Sequence, residues 1–382
     1  MMLFTSTFLT ALLGTTIGVL ANPVAIPGPL PTPPPSLKDA VAKRATSCTF
    51  SGSDGYSLAS VSKASCATIV LSSLAVPSGV TLKLEKLNDG TTVVFQGTST
   101  WGYKEWEGSL VSISGNKITI KGDPGSILDG QGALWWDGLG GNGGKIKPKF
   151  FKANDLTDST IQGITIKNAP KNSFSLNRVT RLTVKDVTVD DSAGNYATGG
   201  HNTDGFNINN SDGIYFSGVK VWNQDDCMNV NSGTNIYWTN GFCSGGHGLS
   251  IGSVADGSVV RNVTFENTVL EKQQQSVRIK TNSGAVASVS DIYYRNIVFN
   301  GGTDYGIIVD QSYGGTKHSP TNGVTIDNFQ LKNVTGSVDS GATQILVECG
   351  VGSCTNWVWS GVKVTGGKTS TACLNLPSGI SC

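Results

Sequence analysis

The chain is 382 residues long, and its 28 Lys and Arg side chains nearly balance 27 Asp and Glu. That balance argues against nucleic acid as a partner, because proteins that bind it usually carry a marked basic excess. Hydrophobic residues are 38% of the chain, enough for a sizeable core, and eight cysteines without a Cys-x-x-Cys pair fit disulfides better than a zinc site.

Leu3 to Ala21 is apolar or small and uncharged, which predicts a signal peptide over residues 1–21 and a secreted, extracellular protein. Its missing basic start departs from the usual pattern. Prolines between Pro23 and Pro35 preclude a helix or a central strand, and Lys43-Arg44 reads as the cleavage site closing a pro-segment over 22–44. Loss of Lys38, Lys43, Arg44 and Asp39 would leave 25 basic and 26 acidic side chains, so the mature chain is still near neutral. Nothing after residue 44 approaches the run of about 20 apolar residues that a membrane helix needs, so no membrane partner is expected.

Ser57 to Ala67 predicts a short N-terminal capping helix. Beyond it, paired runs with period 2 recur, such as Ile161/Ile164/Ile166, Leu182/Val184/Val187/Val189, Ile214/Phe216/Val219/Val221 and Ile236/Trp238. The phrase continues through Val263/Phe265, Ile292/Tyr294/Ile297/Phe299, Val324/Ile326/Phe329/Leu331 and Val362/Val364. Period 2 means strand, and recurrence at roughly 21 to 34 residues means stacked units that cannot bury their faces alone. Sandwich strands recur at about 8 to 12 residues, so the longer interval predicts an all-β, right-handed parallel β-helix, a solenoid spanning 45–382 as one domain. The 49 glycines and frequent Asn suit its sharp corners.

Chemistry concentrates in four runs: Asn202-Thr203-Asp204, Gln224-Asp225-Asp226, Gly246-His247-Gly248 and Arg278-Ile279-Lys280. They offer three carboxylates, one imidazole and two fixed cations. In a coil of this period Asp204 lies about one turn before Asp225 and Asp226, and stacked carboxyls cannot all ionise cheaply, so one should keep its proton while another stays charged. Adjacent strand residues face opposite ways, so Asp225 and Asp226 share a cleft only if the backbone bends there. His247 sits among glycines that would let it approach a ligand, whereas His201 and His318, like most lone histidines, read as structural or merely exposed. Arg278 and Lys280 alternate along one strand and so share a face.

From about Cys48 to Cys382 the chain resembles the fungal endopolygalacturonases of glycoside hydrolase family 28, with the four runs in family order. The resemblance implies an endo-acting, inverting hydrolase of α-1,4-galacturonosyl links in pectin. In that scheme Asp225 protonates the glycosidic oxygen, Asp204 and Asp226 orient and deprotonate water, and His247 tunes the acid. Arg278, Lys280, Tyr313 and Asn202 would contact the substrate, whose rings each carry a carboxylate. Ser312 and Asn207 stand where many members have an acid, which bears on subsite preference. Eight cysteines allow 105 pairings; the resemblance implies Cys48 with Cys66, Cys227 with Cys243, Cys349 with Cys354, and Cys373 with Cys382.

Asn209, Asn262 and Asn333 head glycosylation sequons. No metal or other cofactor is expected, and the partner is polygalacturonate, met by a monomer, with a plant inhibitor protein as a further partner that the resemblance implies. Rival functions are hydrolysis of xylogalacturonan or rhamnogalacturonan, a Ca²⁺-dependent pectate lyase, and a non-catalytic wall-binding solenoid. A lyase would leave the acidic triad without a task.

Overall fold

The computed structural model describes residues 45–382, so the signal and pro-segment calls lie outside the described residues. Those residues form 28 strands and one α-helix, and every recorded strand pairing is parallel. Three ladders run side by side. One passes through Lys149–Gln162, Phe174–Asn177, Phe206–Asn209, Met228–Val230, Leu249–Val254, Gln275–Asn282 and Tyr305–Tyr313. A second stacks Thr180–Lys185, Ser211–Ser217 and Gly233–Thr239, and a third stacks Thr165–Lys167, Thr188–Asp190, Lys220–Trp222 and Phe242–Ser244. This is the expected parallel β-helix.

The period-2 runs supply its core. Ile161, Leu182, Val184, Ile214, Phe216, Trp238, Phe265, Tyr294 and Phe329 are each 0 or 1% accessible. Identical environments in successive coils stack like on like, as with Phe174 and Phe206, whose rings lie 4.9 Å apart and nearly parallel. Only Val362 and Val364, in the last coil, stay half-buried, because no further turn covers them.

Corners are turned by residues in the left-handed region. Asn267, Asn296 and Asn333 all have φ near +50°, and their side-chain amides form a ladder, Asn296 Nδ2 donating to Asn267 Oδ1 (3.0 Å) and Asn333 Nδ2 to Asn296 Oδ1 (3.1 Å). Repetition thus satisfies polar groups as it does apolar ones.

The capping helix is Gly55–Ser62, followed by a 3₁₀ turn Lys63–Ser65, and so begins and ends earlier than the Ser57–Ala67 expected. Cys66 cannot be helical, since it pairs in register with Ala45 and is bonded to Cys48. The helix buries Ala59 against the first strands and leaves Val61 exposed, as befits a lid rather than a core element. All four implied disulfides are present, joining Cys48–Cys66, Cys227–Cys243, Cys349–Cys354 and Cys373–Cys382.

Candidate active site

Strand register assembles the site. Phe206, Met228 and Leu249 pair across consecutive rungs, so Asp204, Asp226 and His247, each two residues earlier, form one column just ahead of the strands. Asp225 reaches the same cleft because the chain bends between Lys220–Trp222 and Met228–Val230, as two adjacent carboxylates require. Asn223, fully buried, fixes that bend by donating its amide to the carbonyls of Thr203, Asp225 and Asp226, each at 3.0 Å. The Cys227–Cys243 bond anchors the following residue.

The glycines around His247 have a different task from the one expected. A Cβ on Gly246 would lie 2.1 Å from the Asp225 carbonyl oxygen, and one on Gly248, at φ +73°, 2.1 Å from that of Gln275. Close packing between coils, rather than approach to a ligand, excludes side chains there. His247 is thereby held with its backbone N–H on the Asp225 carbonyl at 2.7 Å and its ring Nδ1 3.1 Å from Asp225 Oδ1.

The carboxylates are buried and differently partnered. Asp204 accepts from Asn172 (2.8 Å) and Asn229 (2.6 Å). Asp225 accepts from Asn202 (2.8 Å) and from the Asp226 N–H (2.7 Å). Asp226, 1% accessible, accepts from Ser250 (2.6 Å) and Lys280 (2.8 Å), with Arg278 Nη1 at 3.6 Å. The Asn229 amide also reaches Asp226 Oδ2 at 3.4 Å, so one Nδ2 spans two carboxylates. The Asp225 and Asp226 carboxylates also approach within 4.8 Å of each other, closer than the about 6.5–9.5 Å usual between the acid and base of inverting enzymes.

Their proton affinities are driven apart. Burial, followed by the charges of Asp225 and Asp226, pushes Asp204 well above the ordinary carboxylate range, with Lys280 opposing. Burial would also raise Asp225, but the His247 hydrogen bond and charge, Lys280 and the Asp226 N–H together hold it well below that range. In the free protein the site thus has one carboxyl that retains its proton beside one that stays charged, the split expected of stacked acids.

Around this floor lies a cavity of about 320 Å³, lined among others by Lys171, Asn202, Asn207, Asn229, Lys280 and Tyr313. The Tyr313 ring sits 5.6 Å from the Arg278 guanidinium and 5.4 Å from the Lys280 ammonium. Lys280 faces the cavity yet is already paired with Asp226, so it serves the carboxylate cluster as well as any ligand. Asp225, Asp226 and His247 offer donor atoms within 4.8 Å of one another. A divalent ion there would share the Asp226 carboxylate with the Lys280 ammonium.

Asn172, Asn223, Asn229 and Ser250 escaped the sequence reading. A signal existed for two of them: Asn229 and Ser250 follow Asp226 and His247 by three residues, as Asn207 follows Asp204. All three share the outward column of the ladder that leads to Arg278. Asn207 accepts a hydrogen bond from Asn229, and Ser312 donates to Asp310 at 2.7 Å, so both stand-ins for acids are engaged within the protein. His201 touches Asn142 and His318 pairs with buried Glu348, away from the triad. At the sequons, exposed Asn262 and Asn333 each donate an amide to a neighbouring corner Asn, and Asn209 is half-buried.

The chain is 56% identical over 366 residues to a probable endopolygalacturonase E of Aspergillus niger, covering 95% of this chain and 96% of that protein. Endopolygalacturonase I of Aspergillus aculeatus is 55% identical over 366 residues with the same coverage. Endopolygalacturonase I of Stereum purpureum, solved in complex with two galacturonates, superposes with a TM-score of 0.78 at 36% identity, over 84% of this chain and 95% of that one. The pattern of the glycosyl hydrolases family 28 matches residues 66–382, and with relatives this similar along nearly their whole length the chain belongs to that family.

Proposed function

We propose that the protein is an endopolygalacturonase, hydrolysing α-1,4 links within polygalacturonate. The observation that carries the mechanism is the Asp225–His247 pair set against two further carboxylates bridged by Asn229. In this scheme Asp225, supplied through its contact with His247, gives a proton to the glycosidic oxygen as the C1–O bond breaks. Asp204 and Asp226 orient a water on the opposite face and take its proton as the oxygen bonds to C1, which inverts that carbon. Asp204 and Asp225 titrate together, so catalysis needs their proton on Asp225 while Asp204 is ionised. Lys280 and Tyr313 line the cavity where a uronate ring would lie, the Arg278 guanidinium stands beside the Tyr313 ring, and Asn202 fixes the Asp225 carboxylate. The four disulfides support a secreted enzyme of an oxidising compartment. Action as a monomer and inhibition by plant proteins complete the proposal, on the family resemblance alone.

The test is product analysis on demethylated homogalacturonan. Expected are saturated reducing ends, early collapse of viscosity and indifference to chelators. Unsaturated, ultraviolet-absorbing products that require Ca²⁺ would overturn the hydrolase, and monomer as sole early product would overturn endo attack. Turnover confined to a xylose- or rhamnose-bearing polymer would move the enzyme to a sister specificity.

A further inference from the structure

Three lysines stand beside the catalytic cavity without an acidic partner. Lys149 and Lys152 open the strand Lys149–Gln162, and Lys171 lies in the turn before Phe174–Asn177. Every salt bridge among the described residues uses other cations, and none of these three amines has a carboxylate oxygen within 4.0 Å. Nor does any of them donate a side-chain hydrogen bond within the protein, in contrast with Lys145, Lys147 and Lys280.

Their position is set by the same register that builds the active site. Lys152 pairs with Ser175, Ser175 with Asn207 and Asn207 with Asn229, so Lys152 projects from the outward column that carries Asn207 and Asn229. At about 4.8 Å per rung it lies about 10 Å from Asn207 and about 14 Å from Asn229 along the coil axis. The hollows connect. Lys171 and Gly141 line both the catalytic cavity and a hollow of about 110 Å³; Glu107 joins that hollow to one of about 220 Å³ lined by Lys149 and Lys152.

Three mutually close cations repel one another. Crowding around the ammonium and then the Lys171 charge lower the proton affinity of Lys149, Lys152 adding to the effect and the Asp204 and Glu107 charges opposing it. Glu107 is the one carboxylate in the hollow, and it makes no ion pair with them. Such a cluster is a cost to the free protein that an incoming anion would relieve.

We infer that Lys149, Lys152 and Lys171 form a remote anionic subsite that grips a uronate carboxylate of the same polymer, on a ring beyond those flanking the scissile bond. This rests on the proposed activity on polygalacturonate. Its consequence is a preference for long substrates, since only a chain that spans cavity and hollows collects the extra charge-assisted contacts.

The experiment compares kcat/KM on hexagalacturonate and trigalacturonate for wild type, Lys149→Gln, Lys152→Gln, their double variant and Lys185→Gln, a control on the outer face of the neighbouring sheet. The double variant should lower the hexamer-to-trimer ratio at least tenfold and redistribute cleavage along end-labelled hexamer, with its melting temperature equal to or above wild type. An unchanged ratio and cleavage pattern would overturn the subsite. So would an equal loss in Lys185→Gln, which would assign the effect to net charge. Wild type inert on both oligomers and on polygalacturonate would instead refute the activity itself, so the two failures are distinguishable.

Discussion

Lys280→Met tests whether the cations belong to the catalytic cluster. Lys280 Nζ lies 2.8 Å from Asp226 Oδ2, and the two side chains are 7% and 2% accessible. Removing the ammonium leaves Asp226 with Ser250, the Asn229 amide at 3.4 Å and an Arg278 nitrogen at 3.6 Å. Breaking one half of a buried pair costs about 3–5 kcal/mol, because the remaining charge stays desolvated. Scaled to the length of this domain, that is a fall in Tm of about 4–7 °C. Asp226→Asn in the same background removes the stranded charge, so the double variant should recover about half of the lost stability or more. Activity should not recover, since the double variant lacks both a carboxylate and a cation of the site; kcat/KM on polygalacturonate should fall at least tenfold in Lys280→Met and further in the pair. Calorimetry and reducing-end assays on the four proteins of this cycle supply the measurements. If the double variant melts no higher than Lys280→Met, the buried pair is not the source of the loss and the electrostatic account of the site fails.

Asp225→Asn should lower turnover by about 10²-fold or more with Tm nearly intact; lost stability with normal specific activity would make Asp225 a turn-capping residue. His247→Ala removes the foremost influence holding Asp225 down, so the pH at which Asp225 releases its proton moves up, and the kcat–pH profile must shift with it. An unaltered profile would take His247 out of the proton network. Asp191 is fully buried, accepts from the Ala169 N–H at 2.6 Å and is pushed up to about 8 by burial. A raised folded-state pKa means the native protein holds a proton that the unfolded chain releases. That stabilisation is complete below about pH 4 and is lost as pH rises through about 8. Asp191→Asn keeps the hydrogen bond without the titration, so its Tm should decline less than that of wild type between pH 5 and 8. Parallel curves would refute the assignment.

Much of this molecule is written in local chemistry. The alternation in Leu182/Val184 or Ile214/Phe216 specifies strands whatever their surroundings, because side chains on a pleated chain must take opposite faces. Repetition at coil length specifies stacking, because no single turn can bury its own apolar face. That same period places Asp204 one turn before Asp225 and Asp226, so the carboxylate column is legible before any coordinates. Disulfide partners were not legible from cysteine spacing; they came from resemblance.

Tertiary structure decided what depends on register between coils. Asn229 and Ser250 look like ordinary polar strand residues until pairing sets them beside Asn207 and Arg278. Gly246 and Gly248 look like room for a ligand until the neighbouring carbonyls fill that space. The bend that brings Asp225 to the side of Asp226 is held by Asn223, whose three acceptors come from two different coils. Protonation is the furthest from sequence. Asp204, Asp225 and Asp226 are one residue type, and only burial and the distances to His247, Lys280 and one another make the first keep its proton and the second lose it.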